Sequence, residues 1–236
     1  MIRQDFPRLP SKNLSPYLRI FILCFCNKNL VFRKEMKSMD KLEFPGLAPD
    51  SAASRFFRHP PVLESPRLTL RPLRMSDAKS IYAWTSDPEV ARFVLWDAHC
   101  SIRETRDYIR YVRHLYRHRL PSSWGISLRD SDNIIGTIGI MSYIPPYRTC
   151  EIGYSLSHEY WGRGIMTEAV SLLTRSLFTA LPLNRIEAQH DIRNPASGRV
   201  LEKCAFQKEG VLRSRIINKN EPIDVVLWSL LKKDIP

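Results

Sequence analysis

From residue 63 onward the apolar positions follow two rhythms. Residues 124–128 and 134–143 are apolar-rich runs of strand length joined by the turn Asp130-Ser131-Asp132-Asn133, and they predict a meander of strands. Residues 150–156 read as a further strand. After it, Ile165, Ala169, Val170, Leu172, Leu173, Leu177 and Phe178 recur at helical spacing. Another strand is expected over 185–190, and a second helix over 195–203, entered through Asn194 as N-cap with Pro195 at the first helical position. Earlier in the chain Ser76 and Asp77 open a helix to about residue 85, and Asp87-Pro88 begins another short turn. Ser101-Ile102-Arg103-Glu104 has the form of a capping box that opens a helix to about residue 118. Residues 225–231 give a last strand. Helices, then a meander, then strand-helix-strand-helix-strand predict an α/β domain of the α+β type around a mixed sheet, without repeats or low complexity.

Chemistry enters at the junction Tyr160-Trp161-Gly162-Arg163-Gly164-Ile165-Met166-Thr167-Glu168-Ala169, where a strand gives way to the long helix. Glycines lack Cβ, so the backbone at Gly162 and Gly164 can approach an anion closely. The unsatisfied amides of the first helical turn then point at that anion with the helix dipole behind them. The donors would be the amides of residues 162–167. An ordinary loop-to-helix turn with no ligand has the same local pattern. A P-loop requires four residues between its glycines followed by Lys-Ser/Thr, and a dinucleotide turn requires a third glycine; neither pattern is present here.

Composition changes the picture mainly at the N-terminus. The chain has 236 residues, 44% of them hydrophobic, enough to bury a full core in one domain or slightly more. Its net charge is +12, and residues 1–38 carry half of it, with eight Lys/Arg against two Asp/Glu. In that extension the apolar run Ile20-Phe21-Ile22-Leu23-Cys24-Phe25-Cys26 falls far short of the ~18 residues that span a bilayer, so stable membrane insertion is not expected. A cleavable signal also fits badly, because no small-residue site follows the run. Residues 1–38 are therefore a basic tail, a weak membrane-surface segment, or sequence ahead of a true start at Met36 or Met39. Residues 39–62, with Pro45, Gly46, Pro49, Pro60 and Pro61, read as a linker, and 63–233 as the folded domain. Five cysteines, an odd number without framework spacing, argue for a reducing, cytoplasmic setting.

Several separated segments resemble one family. Glu151-Ile152-Gly153-Tyr154, the Trp161-Gly162-Arg163-Gly164 turn, Thr167-Glu168-Ala169, Asn194 with Ser197, Val200-Leu201-Glu202-Lys203, Phe206 and Glu209-Gly210 are similar, in order and spacing, to the RimJ/RimL-like branch of the GNAT acetyltransferases. Leu68-Thr69-Leu70-Arg71-Pro72-Leu73 with Ser76-Asp77-Ala78 resembles that family's opening strand and first helix. The resemblance runs from about residue 63 to 233. It implies a GNAT fold, a mostly antiparallel mixed sheet of about six to seven strands with about four helices, opening between the fourth and fifth strands. It also implies acetyl-CoA as donor and no metal. Tyr154, Leu156, Trp161, Gly162, Arg163, Gly164, Ile165, Met166, Thr167 and Asn194 would contact the cofactor, with its pyrophosphate on the amides of residues 162–167 and its pantetheine along the strand ending at Leu156. The implied acceptor is a protein N-terminal amine or a small amine such as a polyamine, amino acid or aminoglycoside, and the assembly a monomer or homodimer. A non-catalytic acyl-CoA-binding or RNA-docking module on the same scaffold is the other reading. Two departures stand out. Met166 is bulkier than the family's usual residue, and Ala205 stands where glycine is usual.

Acetyl transfer from a thioester to an amine needs a neutral amine and a proton for the departing thiolate. An α-amine, with a pKa near ~8, is partly neutral at pH 7, whereas lysine, near ~10.4, needs more help. Glu151 is the candidate base, directly or through a water, or else an orienter of the substrate amine. Many relatives protonate the thiolate with a tyrosine at the position of Leu201, which cannot donate. Ser197, four residues earlier on the same helical face, is then the candidate donor, unless it only binds pantetheine while water supplies the proton. Cys150 and Cys204 lack a neighbouring histidine motif that would activate a thiol for covalent transfer.

The capping-box helix also carries a stripe. At about 100° per residue, Arg106, Arg110, Arg113 and Arg117 lie within about 60° of one another, which makes either a solvated face or a docking site for ribosomal RNA or an acidic peptide. His114 and His118, spaced i, i+4, would be repelled from a metal role by the flanking arginines, and no third ligand is placed.

Overall fold

The computed structural model describes residues 51–235. The expectations for residues 1–38 and for 39–50 lie outside the described residues. Eight strands form a single sheet: β1 (Leu63–Glu64), β2 (Leu68–Pro72), β3 (Ser123–Leu128), β4 (Ile134–Ile144), β5 (Thr149–Leu156), β6 (Arg185–Asp191), β7 (Gln207–Asn218) and β8 (Glu221–Leu231). Their order is β1-β2-β3-β4-β5-β6-β8-β7, antiparallel everywhere except between β5 and β6. The helices are α1 (Ala52–Arg58), α2 (Ala78–Thr85), α3 (Pro88–Ala91), α4 (Ile102–Arg117), α5 (Ile165–Ala180) and α6 (Pro195–Lys203). The predicted α+β architecture with a mixed, mostly antiparallel sheet is present. The strand and helix numbers are higher than expected, because β1, β7 and two short helices add to the count. The parallel pair, at which the sheet was expected to open, is consequently the fifth and sixth strands rather than the fourth and fifth.

The two faces of the sheet carry separate cores. Trp124, Ile126, Ile138, Ile152 and Leu70 pack with α5 and the buried Phe57 of α1. The α2 and α4 residues Ile81, Trp84, Ile109 and Val112 pack instead with Leu73 and Ile134. Gly125, between Trp124 and Ile126, shows how close the second layer lies: a Cβ there would sit 2.7 Å from Leu73 and Ile134 side-chain atoms. Helix α1 falls in the stretch expected to be linker. The prolines around it broke the pattern, but Phe56 and Phe57 are buried and Trp124 Nε1 donates to the Pro61 carbonyl at 2.8 Å.

The capping box is shifted. Ser101 makes no side-chain cap bond, and the Glu104 carboxylate accepts instead from the Cys100 amide at 2.9 Å. Asp77 also does more than open a helix. Held almost without exposure, it takes a two-pronged ion pair from Arg71 at 2.8 and 2.9 Å and the Arg74 amide at 2.7 Å, tying β2 to the turn before α2.

Ala205 adopts φ +63°, a left-handed backbone that favours glycine, the residue usual at this position in the family it resembles. It closes α6 with its amide on the Glu202 carbonyl at 3.1 Å. Ala205→Gly is expected to stabilise the fold by up to about 1 kcal/mol, because the relief of left-handed strain exceeds the entropy glycine adds to the unfolded chain. Chemical denaturation should show a higher midpoint at unchanged slope; an unchanged or lower midpoint would refute it.

Candidate functional site

The site grows from one interruption. β5 and β6 pair in parallel only over Thr149↔Arg185 to Ile152↔Ala188. Beyond that point β5 continues against β4 as far as Leu156↔Gly136, and β6 continues against β8 as far as Asp191↔Val225. The two strands therefore diverge, and each leads into a helix beside the gap: β5 through a tight loop into α5, and β6 into α6.

The loop into α5 is closed by side chains. Trp161 Nε1 donates to the Leu156 carbonyl at 2.8 Å, and its indole, 45% exposed, packs against the His158 ring with centroids 4.4 Å apart. Gly162 and Gly164 both sit at φ +73°, which explains glycine at each. The first helical bond runs from Glu168 N–H to the Gly164 carbonyl at 3.1 Å. Among the described residues, the amides of 162–167 have no backbone or side-chain acceptor. Ile165 and Met166 bury their side chains in the core, so only their main chain faces outward and the bulk of Met166 does not narrow the turn. The helix end thus carries a set of uncommitted donors at the positive pole of a 16-residue helix.

Glu168 holds this turn to the first strands. Its carboxylate accepts from Arg67 Nε at 2.6 Å, Ser65 Oγ at 2.7 Å and the Arg67 amide at 3.1 Å, while Arg67 also donates to the Arg163 carbonyl at 3.1 Å. Partial burial acts to raise the Glu168 pKa, but the Ser65 and Arg67 bonds outweigh it and hold the carboxyl below its ordinary value.

On the other side, the Asn194 carboxamide accepts the Ser197 amide at 3.3 Å and caps α6. Tyr154 reaches across from β5: its hydroxyl lies 2.9 Å from Ser197 Oγ and donates to the Ser197 carbonyl at 3.1 Å. Burial pushes the Tyr154 pKa well up, so the phenol stays neutral. Leu201 is fully buried in the core, which removes any proton-donating role at that position. These elements bound a cleft of about 440 Å³ lined by Tyr154, Leu156, Trp161, Gly162, Gly164, Ile165, Met166, Thr167, Asn194 and Ser197. Arg163 lies beside it, its guanidinium 5.5 Å from the Tyr160 ring.

The cleft is also lined by Glu89, Val90, Arg92, Phe93 and Val94, and α6 adds Arg199 and Lys203. Of these only Lys203 was noted from sequence, within the segment Val200-Leu201-Glu202-Lys203, and without a role of its own. The i, i+4 spacing of Arg199 and Lys203 on the helix beginning at Pro195 was the available signal for the cations. Residues 89–94 are held from far away, by Lys219 Nζ on the Ala91 carbonyl at 2.7 Å and Asn218 Nδ2 on the Val94 carbonyl at 3.3 Å.

Glu151 does not line this cleft. It alternates with Cys150 and Ile152, which face the core, and so projects from the opposite face of β5. There Gln189 Nε2 donates to Glu151 Oε1 at 2.8 Å. Burial raises the Glu151 pKa, the Gln189 bond lowers it, and the net shift is upward. The two candidate catalytic groups therefore stand on either side of the strand, with the gap between β5 and β6 connecting them. Cys150 is fully buried and its thiol pKa is pushed well up, so it is not a nucleophile.

The arginine stripe of α4 is exposed at Arg106, Arg110, Arg113 and Arg117, with Arg110 paired to Asp107. His114 and His118 stack with ring centroids 4.0 Å apart. Among the described residues no group of three metal-ligating side chains is close enough to hold an ion, and no helix is long and apolar enough to cross a membrane.

Comparison with known proteins places this geometry. A model of the acetyltransferase (GNAT) domain matches residues 67–207. The chain is 38% identical over 172 residues to the uncharacterized N-acetyltransferase YoaA of Bacillus subtilis, covering 73% of this chain and 97% of that protein. It is 24% identical to the [ribosomal protein uS5]-alanine N-acetyltransferase of Escherichia coli over 58% of this chain and 72% of that one. The solved ribosomal-protein-S5-alanine acetyltransferase of Vibrio fischeri superposes with a TM-score of 0.65 at 26% identity, over 75% of this chain and 99% of that one.

Glu168→Gln is expected to lower stability at pH 7 by about 0.5–1 kcal/mol, the discount reflecting the exposed Arg67 partner. Because the folded-state pKa is depressed, this contribution is present above the unfolded value and fades as pH falls through the folded one. Denaturation of both proteins across that acid range tests it: a difference that persists below the transition contradicts the assignment.

Proposed function

Given that the chain belongs to the GNAT acetyltransferase family and is an acetyl-CoA-dependent acetyltransferase, we propose that its acceptor is the α-amine of a protein N-terminus. The reading rests on Glu151, a half-buried carboxyl of raised pKa held by a single neutral amide at the point where the strands part. Such a group is a weak base. It suits an amine of pKa near ~8, about a tenth neutral at pH 7, far better than a lysine near ~10.4. Relatives named for ribosomal-protein alanine acetylation support the same class of acceptor.

The cleft fits the donor by its chemistry. The free amides of residues 162–167 suit a diphosphate, Arg199 and Lys203 suit further negative charge, and the space between β5 and α6 suits an extended amide-bearing arm. The acetyl end would pass through the gap toward the Glu151 face. Transfer is direct, in a ternary complex. The amine attacks the thioester carbonyl as Glu151 takes its proton, directly or through a water. The tetrahedral intermediate collapses with loss of the thiolate, and the Ser197 hydroxyl, held by Tyr154, passes a proton to the thiolate as it takes one from water. The arginine ridge on α4, largely without acidic partners among the described ion pairs, adds a surface through which a ribosome could be approached.

Release of free thiol from acetyl-CoA, followed with N-terminal peptides, polyamines, amino acids and aminoglycosides, tests the reading. Peptides are expected to be the best acceptors. Ser197→Ala should lower kcat by on the order of ten- to a hundredfold with little change in the KM for acetyl-CoA. Faster turnover of a small amine would reassign the acceptor, and no turnover with any acceptor would leave a binding module.

A further inference from the structure

The base in this reading is not held by a charge. Glu151 lies in register with Glu187 on β6, a like charge on the same face. Glu187 is already engaged by Arg185 Nε at 2.7 Å, and Arg185 also donates to Glu209 at 2.9 Å. Arg185 is thereby committed to two other carboxylates. Arg215 on β7 attracts Glu151 electrostatically from a distance, and β4 places the uncharged Ser142 opposite it. The direct contact to Glu151 comes from Gln189, the first residue of β6 beyond the last strand pair, Ile152↔Ala188. Period-two alternation puts Gln189 on the face of Glu187 and Glu151, so its amide reaches back across the point of divergence. Only Oε1 is taken, and among the described residues Oε2 has no hydrogen-bond partner.

We propose that Gln189 is a positioning residue: its side-chain amide clamps Oε1 of Glu151, fixing the carboxylate plane and leaving Oε2 for the proton of the acceptor amine. A neutral donor suits this task. A cation in its place would drain the basicity of Glu151, and an apolar side chain would leave the carboxylate facing Glu187 without a hold. The amide also ties β5 to β6 where backbone pairing has ended, so the orientation of the base and the width of the gap are set by one contact. This inference rests on Glu151 acting as the base.

The test uses the full chain, acetyl-CoA and the best peptide acceptor, with kcat/KM followed against pH. Two breaks are expected on the acid side, one from the acceptor amine and one at lower pH from Glu151. Gln189→Met removes a bond that favours the ionised carboxylate, so the lower break should move to higher pH. In the same variant kcat should fall on the order of tenfold, and the KM for acetyl-CoA should stay within about twofold. Gln189→Glu, which keeps size and polarity, should move the break up as well by placing a second carboxyl beside Glu151, and it carries the test if the methionine variant does not fold. A lower break that stays in place in the folded variants, while Glu151→Gln abolishes it, overturns the role of Gln189 and leaves Glu151 as base. A Glu151→Gln enzyme that keeps both the break and the rate removes the base itself, and this inference with it.

Discussion

The ladder between β5 and β6 stops after four residue pairs, and the working parts of the molecule are arranged around that stop. Two strands that part inside a sheet would normally close up or fray, because unpaired backbone groups are costly away from water. Here each is held by its other neighbour, β5 by β4 out to Gly136↔Leu156 and β6 by β8 out to Asp191↔Val225. The gap is consequently rigid on both banks. Its facing edges offer main-chain donors and acceptors, and the helices that leave the two banks bring a glycine turn with outward amides and a capped serine to the same cleft.

Side chains span the gap where the backbone does not. Tyr154 crosses to Ser197 on the helix face and Gln189 crosses to Glu151 on the other, so each candidate proton-handling group is held by a partner from the opposite bank. Leu201, deep in the core, has no hydroxyl to offer the cleft, whereas the Ser197 hydroxyl is held at its edge by Tyr154. The arrangement also separates two roles that sequence spacing blends together. Trp161 and Glu168 sit inside the recognisable turn, but their polar groups serve to close and brace it, through the Leu156 carbonyl and through Ser65 and Arg67.

Much of this was legible in the chain. The turn at Gly162 and Gly164 and the helix begun by Asn194 and Pro195 follow from backbone rules that act within a few residues, and both stand where expected. The parts that escaped are those whose reasons lie elsewhere in the fold. Helix α1 sits among prolines and is ordered by burial of Phe57 against Tyr143 and of Phe56 against Trp124. Strand β7 reads as polar because it is the sheet's edge, with one partner, two irregularities in register and only Ile216 and Asn218 buried. Gln189 carries no motif, and only the register of β5 against β6 makes it meaningful.

The edge strand shows why long-range organisation matters to the cleft. β7 and β8 form an extended hairpin that turns at Lys219 and Asn220, both at positive φ. Its end does not wave in solvent. Ile216, Ile223 and Val225 close on Leu95, and Asn218 and Lys219 bond the carbonyls of Val94 and Ala91. Those carbonyls belong to the last residue of α3 and to the segment after it, the stretch that lines the cleft together with α5 and α6. A four-residue helix such as α3 has too little internal bonding to hold that stretch by itself. The C-terminal hairpin supplies the missing constraint from more than a hundred residues away. The cleft is therefore complete only when the last strands have docked, which couples one lining segment of the site to the edge of the sheet that composition alone would have dismissed as surface.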